Sequence, residues 1–236
     1  MSFHHTPSMP YSLVIFDLDG TLADSFPWFT RNVNDVADRY RFRRVAEGDV
    51  EALRHASTRE ILDHLAVPRW KLPLIARHMR KLKTAQAASI PLFDGVAPML
   101  TRLAAAGVRL ALVSSDTEAN AREKLGASAA LFADFDCSAS VFGKAKKFRR
   151  VLRRARVEAA HAIAIGDETR DIEAARAAGI ACGAVTWGYA AAKALKDRKP
   201  DLVFERMEQI AEMVLALSPR SHSPQQHSAV ITRGEG

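Results

Sequence analysis

Acidic side chains follow two separate apolar runs of the sequence. The run Leu13 to Phe16 leads into Asp17-Leu18-Asp19-Gly20-Thr21, and the run Ile163 to Ile165 leads into Gly166-Asp167-Glu168-Thr169-Arg170-Asp171. Several carboxylates in one crevice repel each other strongly unless a cation neutralises them. Oxygen ligands without a neighbouring cysteine or histidine suit Mg²⁺, which keeps water molecules and takes further ligands from phosphate. The two acidic runs therefore predict a Mg²⁺ site at which a phosphate group binds.

A serine and a lysine add the other groups expected of a phosphoryl-transfer site. Ser114 follows the apolar run Leu110 to Val113, and Lys144 opens a helical pattern. A hydroxyl and an ammonium group can hold phosphate oxygens while the acids hold the metal. Because it opens the helix, Lys144 is the candidate among the three lysines at 144, 146 and 147.

Two adjacent serines compete for the phosphate role. Ser115 and Glu118 have the spacing of a capping box, in which each side chain bonds the backbone of the other residue. This structural role for Ser115 leaves Ser114, at the end of the strand, as the predicted phosphate ligand.

The elements that must position these residues alternate between strands and helices. Apolar runs without alternation are typical of strands that are buried on both faces of a parallel sheet. The helical patterns between them stop at glycines, which favour left-handed C-terminal caps. The predicted strands are Leu13–Phe16, Leu110–Val113, Ile163–Ile165, Ala181–Val185 and Leu202–Phe204, and the helices are Val96–Ala106, Thr117–Leu125 and Glu168–Ala178. This order predicts a doubly wound α/β fold, in which ligands bind beyond the carboxyl ends of the strands.

Residues 26–90 interrupt this alternation with helical patterns alone. The candidate helices are Pro27–Tyr40, Asp49–His55, Thr58–Leu65 and Leu72–Ala88. We therefore predict a core of residues 1–25 and 91–217 that is interrupted by a helical insert, residues 26–90. Residues 218–236 are rich in Ser, Gln, His and Pro, which is typical of a disordered tail.

The composition excludes several classes of protein. The chain has 236 residues, of which 48% are apolar and 26% charged, and its net charge of +7 favours anionic partners without naming one. Two cysteines, Cys137 and Cys182, cannot supply a disulfide framework, and no cysteine or histidine spacing fits zinc. The sequence has no export-signal pattern and no apolar stretch that is long enough to span a bilayer. We therefore expect a cytoplasmic protein without a membrane partner.

Four motifs of the sequence resemble those of the haloacid dehalogenase (HAD) superfamily and occur in the same order. They are Asp17 to Ser25, Ser114, Lys144, and Gly166 to Asp171, and the resemblance runs from Val14 to about Phe204. The insert directly after the first motif resembles the C1-type helical cap of phosphoglycolate phosphatases and phosphomutases. The segment Thr186-Trp187-Gly188-Tyr189-Ala190 is similar to a phosphoglycolate-phosphatase-like pattern. The resemblance implies a Rossmann-like, HAD-like core with an inserted all-helical cap domain.

The resemblance also implies a role for each motif residue. Asp17 would attack phosphorus and form an aspartyl-phosphate, while Asp19 would protonate the leaving alkoxide and later activate water. Mg²⁺ would be held by Asp17, the backbone carbonyl of Asp19 and Asp167, with support from Asp171. The implied phosphate ligands are Ser114, Lys144, Gly20 and Thr21. The Lys-Pro pair that is common in related phosphatases is absent at Lys144.

The insert is expected to supply the substrate contacts. The segment Arg54 to Leu62 resembles the cap segment that contacts the leaving group in relatives, and arginine suits a second carboxylate or phosphate. Arg54 and Arg59 are therefore candidate substrate residues. The expected partner is a small phosphorylated metabolite, with phosphoglycolate first, and the expected enzyme is a monomer or homodimer. Nucleic acid is not expected, because the basic helix after Lys144 lacks interleaved aromatic residues.

Two other functions stay open at this point. A β-phosphoglucomutase-like phosphomutase would use the same two aspartates but would return the phosphoryl group to a sugar. A receiver-type signalling module also accepts phosphoryl groups on aspartate, but its acceptor follows the third strand and it has no helical insert after the first. A dehalogenase is disfavoured, because halide displacement needs neither the acid Asp19 nor the metal ligands.

Overall fold

A parallel sheet of six strands forms the centre of the molecule. The computed structural model describes residues 11–137 and 143–216. The strands are β1 (Leu13–Phe16), β2 (Arg109–Ser114), β3 (Phe132–Cys137), β4 (Ala162–Gly166), β5 (Ala181–Val185) and β6 (Leu202–Phe204). Their order across the sheet is β3-β2-β1-β4-β5-β6, and every neighbouring pair is parallel. The predicted doubly wound α/β fold is therefore confirmed.

Ten α-helices occur in the described part of the chain. They are α1 (Phe26–Tyr40), α2 (Val50–His55), α3 (Thr58–His64), α4 (Leu72–Ala85), α5 (Val96–Ala105), α6 (Glu118–Leu125), α7 (Lys144–Ala155), α8 (Thr169–Ala178), α9 (Ala192–Asp197) and α10 (Glu208–Ala216). Helices α5, α6 and α10 pack on one face of the sheet, and α7, α8 and α9 pack on the other. No helix among these residues is long and apolar enough to cross a membrane.

Strand β1 shows why the sheet is apolar on both faces. All four of its side chains are buried. Because successive side chains of a strand point to opposite faces, Val14 and Phe16 belong to the core cluster with α5, whereas Leu13 and Ile15 belong to the cluster with α7. A strand covered on both sides needs apolar residues at every position, and this accounts for the unbroken apolar runs of the sequence.

Strand β3 is not predicted from the sequence. Its residues Phe-Ala-Asp-Phe-Asp-Cys include two acids, Asp134 and Asp136, which break the apolar run. Strand β3 lies at the edge of the sheet, and basic residues of α7 pair with its two acids. Arg150 of α7 forms a two-pronged ion pair with Asp136, and Arg154 bonds both acids. Part of the basic face of α7 is therefore paired with acids of β3 at the protein surface, instead of facing only solvent as its sequence suggests.

The start of α6 differs from the prediction. The helix begins at Glu118, and its N-cap is Thr117, whose hydroxyl accepts a hydrogen bond from the Asn120 N–H at 3.2 Å. The predicted capping box of Ser115 and Glu118 is therefore wrong. The reason is a tight turn that precedes the helix, in which the Ser114 hydroxyl accepts the Asp116 N–H at 3.1 Å.

The chain between β1 and α5 forms four helices, α1 to α4, close to the predicted bounds. An isolated antiparallel bridge joins Ala23 to Leu92, where the helical insert leaves the core and returns to it. Helices α2 and α3 bury none of their side chains. Their apolar residues are therefore not packed into a closed core within the insert. The predicted tail, residues 218–236, lies outside the described residues.

Candidate active site

The first and last acidic motifs meet where the strand order reverses. Strands β1 and β4 are neighbours at the centre of the sheet, and the chain extends outward from them in both directions. The Asp17 N–H donates to the carbonyl of Ile165 at 2.9 Å, so Asp17 lies beside the end of β4. A reversal of strand order opens a crevice at the carboxyl ends of the strands, which is the usual ligand site of such sheets.

Three carboxylates form a buried cluster in this crevice. Oxygen atoms of Asp17, Asp167 and Asp171 all lie within 4.8 Å of one another. Burial, followed by the charges of Glu168 and Asp171, raises the pKa of Asp167 well above its ordinary value. Burial also raises the pKa of Asp17, even though the Lys144 charge opposes that shift. The cluster has the hard oxygen donors that a divalent cation such as Mg²⁺ prefers.

Lys144 is the cation that the chain itself places in the cluster. Its Nζ lies 2.7 Å from Asp17 Oδ2 and 2.6 Å from Asp171 Oδ1. Burial alone would raise the pKa of Asp171, but the Lys144 and Arg170 charges outweigh burial and lower it. Lys146 is exposed, and Lys147 donates to the Ser114 carbonyl at 2.7 Å. Lys144 therefore reaches the acids, as predicted.

Asp167 accepts hydrogen bonds from the first acidic motif and from the segment that contains Tyr189. The Thr21 hydroxyl donates to its Oδ1 at 2.9 Å, and the Tyr189 N–H donates to its Oδ2 at 2.8 Å. Gly20 has φ +73°, and a Cβ there would lie 2.1 Å from Asp167 Oδ2. Gly20 is thus required for the close approach of the two motifs, and Thr21 orients the acid. Neither contact was expected from the sequence, and the phosphate contacts of Gly20 and Thr21 stay predictions.

Asp19 is paired with a residue that the sequence analysis missed. Lys83, on α4 of the helical insert, forms ion pairs with Asp19 and with Asp116, the latter at 3.0 Å. Burial would lower the pKa of Lys83, but the two carboxylates outweigh burial and raise it. The sequence does contain a sign of this contact. Lys83 follows Ala76 and Met79 at helical spacing and therefore lies on the same apolar face of α4. A basic residue on an apolar helix face needs a buried acidic partner.

Ser114 lies at the carboxyl end of β2, beside the end of β1, and is buried. Its hydroxyl accepts the Asp116 N–H, so its proton is available for another acceptor. Asp116 in turn accepts hydrogen bonds from the Thr117 N–H and the Asn120 amide, each at 2.8 Å. This position is compatible with the predicted contact between Ser114 and phosphate.

The two candidate substrate arginines differ in position. Arg54 lines the cavity between the insert and the core, but its guanidinium donates to the carbonyls of Tyr189 at 3.1 Å and Gly188 at 3.2 Å. Arg54 therefore docks the insert onto the loop that holds Asp167. Arg59 is exposed and is not among the residues that line this cavity. The substrate role predicted for Arg59 gains no support from its position.

Comparison with known proteins assigns the family. Residues 14–185 match the model of the haloacid dehalogenase-like hydrolases. The chain belongs to this family of hydrolases. It is 29% identical over 206 residues to a phosphoglycolate phosphatase of Synechococcus elongatus, covering 86% of this chain and 97% of that one. It is 26% identical over 238 residues to phosphoglycolate phosphatase 1 of Pseudomonas aeruginosa, covering 92% and 88%.

Solved structures support the same fold. A predicted phosphatase from Clostridium acetobutylicum superposes with a TM-score of 0.75 at 19% identity, covering 88% of this chain and 99% of that one. The resemblance to the haloacid dehalogenase superfamily that the four motifs indicate is confirmed by the family match and by this fold.

The ion pairs of Lys83 predict a loss of stability when its charge is removed. We expect Lys83→Met to lower the free energy of unfolding by about 2–3 kcal/mol, because the buried carboxylate of Asp116 keeps its charge and loses its cation. The measurement is urea unfolding followed by circular dichroism. Lys81→Met, on an exposed position of the same helix, is the control and should change stability by less than about 0.5 kcal/mol. Equal values for the two variants would contradict this account of Lys83.

The raised pKa of Asp167 predicts that Asp167→Asn stabilises the metal-free protein at pH 7. An acid whose pKa is higher in the folded state loses folded-state stability as pH rises through that range, and an amide has no such loss. A gain of about 1 kcal/mol would raise Tm by roughly 2–4 °C in a domain of this length.

The amide can accept from the Tyr189 N–H and donate to the Thr21 hydroxyl, so both contacts survive. Thermal unfolding with EDTA measures the effect, and the gain should shrink as pH falls toward about 3.9, the ordinary aspartate pKa. Thr21→Val, which removes one of these contacts without removing charge, is the control and should not stabilise. A lower Tm for Asp167→Asn at every pH would exclude electrostatic strain at this residue.

Proposed function

We propose that this hydrolase is a Mg²⁺-dependent phosphatase that cleaves phosphomonoesters through a phosphoryl group carried on Asp17. The observation that carries the proposal is the Asp17 carboxylate beside Lys144, within the three-carboxylate cluster at the strand-order reversal. A nucleophilic carboxylate, a fixed cation and a set of hard oxygen ligands are the groups that phosphoryl transfer requires.

The reaction divides into two displacements. In the first, a carboxylate oxygen of Asp17 bonds to phosphorus, the bond from phosphorus to the ester oxygen breaks, and Asp19 gives its proton to the leaving alkoxide. In the second, water gives a proton to Asp19 and attacks phosphorus, which releases phosphate and restores the Asp17 carboxylate. Splitting the hydrolysis in this way replaces one difficult step by two easier ones.

Charge stabilisation must supply most of the rate. Hydrolysis of phosphate monoesters can be accelerated up to about 10²¹-fold, whereas a general acid typically contributes about 10²–10⁴-fold. Lys144 is mostly shielded from solvent beside Asp17, where its charge would act on the transferring group with reduced screening by water. Ser114 would donate its hydroxyl proton to a second phosphate oxygen.

The donor set fits a Mg²⁺ ion. Asp17 and Asp167 carry raised pKa values that a nearby divalent charge would lower, and Asp19 contributes its backbone carbonyl in the predicted arrangement. Asp171 belongs to the same carboxylate cluster and would support the ion or its water molecules, while its oxygens accept from the Lys144 ammonium and the Glu168 N–H. When bound, Mg²⁺ would supply positive charge to the phosphate oxygens.

Phosphoglycolate is the first candidate among small substrates. Two relatives at 29% and 26% identity are named phosphoglycolate phosphatases. Its carboxylate would need a cation, and Arg80 lines the cavity with no ion pair to any other described side chain. Arg80, unlike Arg59, is therefore placed to bind a second negative group.

Replacing the nucleophile should abolish catalysis while the fold is kept. We expect Asp17→Asn to lower kcat for p-nitrophenyl phosphate by roughly a thousandfold or more, because the amide oxygen is a far weaker nucleophile. Circular dichroism checks the fold, and Asp35→Asn on the exposed side of α1 is the control with unchanged rate. Wild-type turnover by Asp17→Asn would remove the residue as nucleophile.

Removal of the metal should abolish catalytic activity reversibly. With EDTA we expect turnover of p-nitrophenyl phosphate to cease, and added Mg²⁺ should restore it, because the carboxylate cluster alone repels an anionic substrate. Steady-state rates measured against free Mg²⁺ test this. Activity that is indifferent to chelation would eliminate the proposed metal site.

A further inference from the structure

A large cavity lies between the helical insert and the core. Its volume is about 650 Å³. At about 30 Å³ for each water molecule, this is room for roughly twenty waters, whereas a two-carbon acid such as phosphoglycolate would fill only a part of it. On the core side the cavity is bounded by Asp19, Ser115, Asp116, Glu168 and Arg170. Its floor therefore coincides with the rim of the candidate active site.

The walls of the cavity are mostly apolar. The apolar lining from the insert includes Phe29 and Val33 of α1, Leu53 of α2, Ile61 and Leu62 of α3, and Met79 of α4. Apart from Val33, each of these side chains is only half-buried. These side chains surround the cavity without filling it, so they present an apolar surface to a bound ligand.

Most of the positive charge near the floor already has a partner. Lys83 pairs with Asp19 and Asp116, and Arg170 pairs with Glu168. Arg54 donates to two backbone carbonyls of the core. Arg31 and Arg80 also line the cavity and form no ion pair with a described side chain, so the cavity can still take a second anionic group there. Most of the remaining lining is apolar and favours an uncharged, apolar group.

We propose that this cavity receives the leaving group of the substrate, and that the leaving group has an extended apolar body. The substrate class is then the monophosphate ester of an apolar alcohol of about six carbons or more. The inference rests on the proposed phosphatase function, because the phosphate is taken to bind at the Asp17 cluster. The phosphate end lies in the core, and the apolar end lies among α1, α3 and α4.

A series of alkyl phosphates tests the proposal with the full chain and Mg²⁺. Ethyl, butyl, hexyl and octyl phosphate have leaving groups of similar basicity, so differences in kcat/KM report binding of the alkyl chain. Each added methylene should raise kcat/KM about threefold until the cavity is filled. Phosphoglycolate is measured alongside. A flat or falling series, with phosphoglycolate as the best substrate, would overturn the proposal.

A variant that fills the cavity supplies a second test. Ala76 lines the cavity from α4, and Ala85 is exposed at the end of the same helix. Ala76→Phe should lower the ratio of kcat/KM for hexyl over ethyl phosphate by about tenfold, whereas Ala85→Phe should leave it unchanged. Inhibition by inorganic phosphate checks that the phosphate site is intact. An unaltered ratio in a folded Ala76→Phe would count against the cavity as the leaving-group site.

The outcomes separate this inference from the proposed function. If the wild-type chain hydrolyses neither phosphoglycolate nor any alkyl phosphate, the phosphatase function fails. If it hydrolyses all of them with equal efficiency, the phosphatase stands and the apolar leaving group is wrong. Because the alkyl series uses the wild-type chain, it tests the apolar leaving group even if the Ala76→Phe variant does not fold.

Discussion

Repulsion between buried carboxylates is the constraint on which the site depends. The sheet topology brings Asp17 and Asp167 to neighbouring strand ends, and the helix after β4 adds Asp171. Three such charges are stable together only with positive charge among them. The chain supplies part of that charge through Lys144, which is why α7 must begin at this crevice. The remaining excess of negative charge makes the cluster suitable for binding a divalent cation.

A second ion pair links the reaction to the helical insert. Lys83 is carried by α4 of the insert, yet its partners Asp19 and Asp116 belong to the core. Arg54 adds hydrogen bonds from α2 to the loop that positions Asp167. Phe26 and Phe29 of α1 add aromatic contacts to Tyr189 in the same loop, and apolar side chains of the insert line the open cavity between insert and core. An insert attached in this way can influence Asp19 as well as cover the substrate.

The parts of the molecule that sequence analysis predicted share one physical property. Strands such as β1 and β4 are buried on both faces, so their apolar runs are unbroken and the acids that follow are conspicuous. Strand β3 was missed because Asp134 and Asp136 interrupt its run, and their partners, Arg150 and Arg154, were interpreted as a solvated face. The contact of Lys83 was missed because it joins residues far apart in the chain. Local sequence patterns show which residues are buried, but they do not show which acidic and basic side chains form ion pairs.

For the same reason, the sequence predicts the type of reaction better than it predicts the substrate. The residues to which we assign the chemistry directly follow strands or lie within a few residues of a strand end, so a short sequence pattern is enough to find them. Residues that contact the leaving group lie on helices whose apolar faces look alike whether they pack against each other or surround a space. Ile61 and Leu62 would be expected in a small helical core, yet α3 buries neither. An apolar face of the helical insert that lines the cavity without filling it is therefore better evidence about the leaving group than the acidic motifs are. Those motifs would bind the phosphate group, which all phosphomonoesters share.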